Sequence, residues 1–396
     1  MSYWSRIGSF ALRPRSSDPR REQKRLTRGL AALIVAWGIQ AGLQELHFFD
    51  RYDESDADHY ARTLPIPKEF SEHITIVTVS EHDYRDLFDS HSPLDTAKLL
   101  QVVQALQGYR PRVIGVDFLT ADWSSRLPES LVRTNPPVVW ARDGRPDSPS
   151  EIAPELPQLS EWNGVVGYPT PPPGLCFAAP VNQPDPDGVI RRYYTAVAVH
   201  KPGTTATATF PTMAHVLAAS YSDRSFDCHG DADPAVKRIR FTGENHHIRV
   251  LSASDVLRDA HNGRKFEKYM ANRIVLLGGT FAGRDMFASG GQYVSGALIL
   301  ANAVESEISG PIRELPVWMS LLIALVVSLL LYWRVSRLRS PLDVLASFAL
   351  LIGFNFIVGW LCYSYLQMFL PIASALFSLP IGIIVEHHMT CSHGEP

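Results

Sequence analysis

Four apolar runs constrain this chain more than any other feature. One, Leu30–Leu43, lies near the N-terminus; three more, Pro316–Trp333, Leu342–Cys362 and Leu366–Ile384, crowd the C-terminal end. A helix that crosses a bilayer needs about 20 predominantly apolar residues. The first run, interrupted by Gln40, is somewhat short of that. The stretch between the runs is mixed in composition and reads as water-exposed. The pattern predicts a membrane protein with one large domain outside the bilayer.

Basic residues orient the layout. Arg13, Arg15, Arg20, Arg21, Lys24, Arg25 and Arg28 precede the first run, and Arg334, Arg337 and Arg339 follow the second. Both clusters belong on the cytoplasmic side. Residues 1–28 then form a basic cytoplasmic tail and 29–46 a first span. Residues 47–315 form an extracytoplasmic domain, 316–387 three spans and 388–396 a short inner tail. Tyr363-Ser364-Tyr365 reads as an external hairpin between the last two spans. A cleaved signal peptide competes for the first run, but no small-x-small site follows at Ala41-Gly42-Leu43, so an uncleaved anchor is favoured. The expected location is the bacterial inner (plasma) membrane, with lipid as one partner and both termini inside. The net charge of -3 gives no basic footprint for nucleic acid.

The outer domain reads as α/β. Ile74–Val79, Arg112–Phe118, Pro136–Trp140, Gly164–Tyr168, Val189–His200, Arg238–Phe241, Ile248–Leu251 and Arg273–Leu277 carry strand formers. Leu94–Gln107, Pro211–Ser220, Ser254–Asp259 (capped by Ser252 or Ser254) and Ala297–Ile308 carry helical spacing. Asp143–Pro157 is polar, proline-rich and reads as a surface loop. Strand–helix–strand order favours parallel pairing with crossover helices. The predicted fold class is α/β with a largely parallel central sheet, plus four transmembrane helices, one N-terminal and three C-terminal. Gly278-Gly279 reads as the turn that ends the last strand. A helix follows, and Gly310-Pro311 breaks the chain shortly before Pro316. This unit is the covalent route from the domain into the bilayer.

GVDFL at Gly115–Leu119, PDPDGVIRR at Pro184–Arg192, and RIVLLGGTFAGRDMFAS followed by ALILANAVES resemble the second type of CHASE domain. These are cyclase- and histidine-kinase-associated sensory extracellular domains. The resemblance covers the external domain, and the arrangement of one helix, the domain, then three helices matches too. It implies sensing, with an intracellular output domain after the spans. The chain after Ile384 is too short to hold one, so output is expected from a separate signalling or envelope partner. A homodimer is a further expected assembly.

Chemical motifs are sparse. Gly278–Gly283 follows a strand, as a phosphate loop does, but Arg284 and Asp285 stand where Lys and Ser or Thr are required. The glycine spacing is not the dinucleotide fingerprint. The loop reads as a structural turn, or as an anion or small-ligand site with Gly279, Thr280, Arg284 and Asp285. Asp117 interrupts an apolar strand and needs a partner; Arg284 is one candidate. Asp187 reads as a turn residue paired with Arg191, since an EF-hand register would put Gln183 and Tyr194 where carboxylates belong. Cys176 and Cys228 are the candidate disulfide of the outer domain. His246-His247 and the tail's His387, His388, His393 and Cys391 make poor metal sites. No nucleophile motif appears, no cofactor is expected, and the central parts of the runs lack Lys, Arg, Asp and Glu, which disfavours transport. The reading is a membrane-anchored sensor with an unknown small ligand, not an enzyme. Its rivals are a structural envelope subunit and, less favoured, a membrane-bound hydrolase using the region of Asp117.

Overall fold

The computed structural model describes residues 50–64, 70–123, 135–146, 158–162, 175–180, 184–185, 187–200, 207–222, 233–241, 247–281, 285–290, 292–335 and 341–370, with scattered positions between 27 and 43. The chain divides into two compact units, residues 61–312 and, together, residues 1–60 and 313–396.

The larger unit is built on a six-stranded sheet. Its strands are β1 (Ile74–Val79), β2 (Val113–Asp117), β3 (Val138–Ala141), β4 (Cys176–Ala178), β5 (Arg249–Ser252) and β6 (Ile274–Gly279), in spatial order β5-β1-β6-β2-β3-β4. Every pairing in it is parallel. All six residues of β1 and of β6 are buried. A parallel sheet covered on both faces requires such continuous apolar strands.

Helices α1 (Thr96–Gly108) and α3 (Ala253–Asn262) cover one face. Leu99, Val102, Val103, Leu106 and Val256 pack there with Val77, Val79, Ile114, Val116 and Leu277. The alternate strand positions meet helices α2 (Met213–Ser222) and α4 (Gly296–Ser309) on the other face. A Cβ on Gly115 would lie 2.8 Å from Leu217 of α2, and one on Gly278 2.6 Å from Ala297 of α4. Helix α4 is buried almost all round, as an interior helix must be when its apolar residues are not confined to one stripe. Tyr109, just after α1, donates to Val256 O at 3.1 Å and to Asp259 Oδ2 at 3.0 Å, which ties the two helices of the first face.

Several expectations are corrected. Gly278 and Gly279 are the last residues of β6, still paired with Thr78 and Val79, and not a turn. They are glycines because α4 and an aromatic cluster press on that strand end. Val189–His200 is three short strands. Residues 189–190 pair with 288–289, residues 192–194 with 236–238, and residues 196–200 with 207–211, with 198–199 also beside 158–159. The breaks fall at Arg191, whose guanidinium is drawn into a turn, and at Thr195, whose hydroxyl donates to Asp233 O. Within Asp143–Pro157, residues 144–146 form a strand against Gln158–Trp162, and 147–157 lie outside the described residues. Gly164–Tyr168 lies outside them too. Helix α2 begins at Met213 because Pro211 still belongs to a strand. Ser252 occupies the cap position of α3 but makes no side-chain cap bond, because its hydroxyl is given to Asp83.

In the smaller unit, helices Val317–Val335 and Pro341–Leu361 follow a short strand, Arg313–Glu314, that pairs with Met368–Phe369. Residues 362–366 form a π-helical turn with Tyr363 buried and Tyr365 exposed. The run from Leu366 therefore does not open as a helix, and its residues 371–384 lie outside the described set. Tyr60, on helix Asp50–Thr63, packs on Phe356 with ring centroids 5.2 Å apart. Among the described residues, no helix is long and apolar enough to cross a membrane.

One prediction follows from the contact at Gly278. A methyl group there overlaps Ala297, and both sides of the contact are backbone-anchored. Gly278→Ala should destabilise the protein by about 1–3 kcal/mol, as overpacking does. Urea unfolding of the full-length chain in detergent measures it; a wild-type midpoint would show that α4 is not held against β6.

Candidate functional site

Because the sheet is parallel, the C-terminal ends of its strands converge on one edge, the usual crevice of α/β folds. β1 runs into Ser80, β5 ends at Ser252, β2 ends at Asp117, and β6 ends at Gly279 before Thr280 and Phe281. Each contributes to that edge.

At one side of the edge sits Asp83, fully buried. It accepts from Ser80 N at 2.9 Å, Ser80 Oγ at 2.8 Å, Ser252 Oγ at 3.0 Å and Ser254 N at 3.2 Å. Burial alone would raise its carboxyl, but these donors hold it below the ordinary carboxylate range. Ser80 and Asp83 form a reciprocal capping box on helix Glu81–Asp86. The same carboxylate reaches across to the start of α3, so one side chain joins the ends of β1 and β5.

In the middle of the edge, Phe281 stacks on Tyr84 with centroids 4.3 Å apart and lies 6.4 Å from Phe118. A Cβ on Gly279 would meet the Phe281 ring at 2.8 Å and the Phe118 ring at 3.2 Å. Gly279 is therefore the floor beneath an aromatic cluster. Thr280 is exposed, and its N–H donates to Val79 O at 3.0 Å.

On the opposite face of the same edge are two carboxylates. Asp117 stands level with Gly278 in the β2–β6 register, and its Oδ2 would lie 3.7 Å from a Cβ placed there. The Asp285 carboxylate lies against Gly296, whose added Cβ would be 2.7 Å from Oδ1. Gly296 N also donates to Asp285 O at 3.0 Å. Both acids therefore flank the first turn of α4, where Ser295 caps by accepting from Leu298 N. Burial, and then the charge of Asp285, push Asp117 up to about 7. Burial likewise raises Asp285, against the pull of the Gly296 N–H. Arg284, the expected partner of Asp117, lies outside the described residues.

Asp187 and Arg191 form a separate turn. Arg191 Nη1 and Nη2 donate to Asp187 Oδ1 and Oδ2 at 2.9 and 2.8 Å, and Arg192 donates to Asp185 at 2.9 Å. The turn's charges are paired within it, and they fix residues 189–190, which pair with 288–289 next to α4's lead-in. Cys176, on β4, is disulfide-bonded; Cys228 lies outside the described residues. No group of three His, Cys, Asp or Glu side chains that could hold a metal occurs among the described residues.

Residues that the sequence reading passed over hold the far end of α4. Glu307 accepts from Tyr193 Oη at 2.5 Å and Lys237 Nζ at 2.8 Å, and bonds His215 Nδ1 at 3.1 Å. Burial would raise its carboxyl; His215, Lys237 and Tyr193 instead bring it to about 2. Two residues earlier, Glu305 bonds Ser71 Oγ at 2.6 Å and His73 Nδ1 at 2.9 Å. An i, i+2 pair points to different sides of a helix, so the two carboxylates tie α4 to two separate parts of the unit.

A family model for the CHASE2 domain matches residues 29–333. The chain belongs to the CHASE2 family. CHASE2 is a family of sensory extracellular domains. The match takes in the whole of the folded unit 61–312, and extends at one end through the first apolar run and at the other to Trp333. No curated protein and no solved structure matches the chain.

Proposed function

We propose that this CHASE2 chain is a membrane-anchored extracytoplasmic sensor that passes a ligand- or partner-induced change through α4 to a separate signalling partner. The observation that carries the reading is the placement of α4. Its first turn lies at the C-terminal edge of the sheet between Asp117 and Asp285, and its last turn is held by Glu305 and Glu307. The chain then leaves the unit within a few residues, through Gly310, Pro311 and Ile312. A ligand that favours one docking of α4 over another shifts a two-state equilibrium by its differential affinity.

Anchoring is supported by the exposed apolar surface of helices Val317–Val335 and Pro341–Leu361. Leu322, Ile323, Val326, Leu329 and Leu330 on the first are exposed, as are Leu350, Ile352, Phe354, Phe356 and Ile357 on the second. Soluble surfaces rarely carry so much apolar area in one place. The disulfide at Cys176 fits an oxidising, extracytoplasmic compartment.

The test lengthens the joint. Short joints transmit motion and long flexible ones dissipate it. A Gly/Ser stretch inserted after Arg313 should leave the protein folded and inserted, yet abolish the response of whatever partner co-purifies with the wild type from its native membrane. An unchanged partner response in the insertion variant would reject coupling through this joint and favour a structural envelope role.

A further inference from the structure

We infer that the Asp117–Asp285 pair binds one proton when the first turn of α4 is docked on β6, and that losing this proton loosens the docking. The inference rests on the reading of α4 as the coupling element and deepens it: the edge of the sheet responds to external pH.

Asp117, the last residue of β2, stands level with Gly278 of β6, against which Ala297 packs with no room for even a methyl group. Asp117 accepts no hydrogen bond among the described residues. Asp285 is held against Gly296 by the main-chain bond between them. Thus both carboxylates, each half-buried, border the same helical turn.

The surroundings offer little counter-charge. β6 contributes only Gly278, Gly279 and the neutral Thr280 there. The first turn of α4, Gly296–Ile299, carries no charge, and the next acid on that helix is Glu305, bonded to Ser71 and His73. Just after β3 stands Arg142, over the Phe177 ring at 4.6 Å. On α2, His215 bonds Glu307, and Tyr221 lies beside His73 and Arg112. Arg284, adjacent to Asp285 in the chain, lies outside the described residues and is the rival counter-charge.

Two half-buried carboxylates at one helical turn repel each other when both are charged, and the first proton is bound more tightly than by either acid in water. The elevation of Asp117 to about 7 agrees with this. A carboxyl raised in the docked state makes that state hold more protons than the loosened one. Docking is therefore strongest below the ordinary carboxylate value of 3.8 and weakens as pH rises towards about 7.

The experiment is hydrogen–deuterium exchange of the full-length protein in detergent at pH 5.5 and pH 8, corrected for intrinsic chemical rates. No partner protein is needed, so its outcome is separate from that of the joint insertion. The peptide covering 296–300 should exchange at least about tenfold faster at pH 8, one pKa unit being a factor of ten. The α3 segment 253–262 should not change. Asp117→Asn should hold 296–300 protected at both pH values. Asp285→Asn, on the opposite side of the turn, should do the same and serves if the first variant folds poorly. Equal protection of the wild type at both pH values overturns the inference, as does undiminished pH dependence in the variants. So does exchange that rises equally in 253–262. A wild type insensitive to pH, with sensitivity appearing only in Arg284→Gln, assigns the counter-charge to Arg284 and overturns it as well.

Discussion

Asp83→Ala should cost the full-length protein about 3–5 kcal/mol at pH 7. The carboxylate is fully buried and receives the Ser80 N–H, the Ser80 and Ser252 hydroxyls and the Ser254 N–H. Alanine leaves those donors without an acceptor at the junction of β1, β5 and α3, and breaking such a buried charged network costs this much. The sign with pH follows from the depressed carboxyl. The stabilisation is present above the ordinary carboxylate range and is lost as pH falls below it. The gap between wild type and variant in urea unfolding should therefore narrow in acid. A variant within 1 kcal/mol of wild type at pH 7 would mean that the two strand ends are joined by something other than this side chain.

Glu307→Gln should cost roughly 2–3 kcal/mol at pH 7, because the native carboxyl is held at about 2 against its usual 4.5. The stabilisation is complete above 4.5 and disappears as pH falls through the window down to about 2. Glutamine keeps the shape and a hydrogen-bond acceptor but cannot supply the charge that faces Lys237. A thermal unfolding series from pH 7 to pH 3 should show the two proteins converging at the acid end. A constant difference across that range would contradict the ion-pair account and point to packing alone.

The parts of this fold legible in the sequence are those decided by local pattern. Ile74–Val79 is rich in β-branched residues and is the observed β1. Leu94–Gln107 carries a helical stripe and became α1 with Asp95 as its cap. Ala297–Ile308 is α4 to within one residue at each end. The parts not legible depend on partners far away in the chain. Val189–His200 has continuous strand chemistry, yet its pieces belong to three different sheets. Gly278-Gly279 looks like a turn because the helix and rings that exclude a side chain there come from Ala297, Phe281 and Phe118. Asp117 is visible as the odd carboxylate in an apolar strand and Asp285 as a polar residue of the loop after β6, whereas their common place at the first turn of α4 depends on the packing of Gly296 and Ala297. Asp83 carries a local signal, Ser80-x-x-Asp83 directly after a strand, but its bonds to Ser252 and Ser254 join residues far apart in the chain. Glu307 carries none, since Tyr193, His215 and Lys237 meet it only in the folded unit.

An extracytoplasmic sensor requires the CHASE2 unit to lie outside the membrane. Cysteine accessibility in intact cells measures this directly, in a background without Cys362 and Cys391. A membrane-impermeant maleimide should label a cysteine placed at Ser148, between the basic clusters that set the inside. It should leave one placed at Ser17 unlabelled until the cells are broken. Labelling of Ser17 in intact cells, or protection of Ser148 there, would contradict an extracytoplasmic sensor with its termini inside.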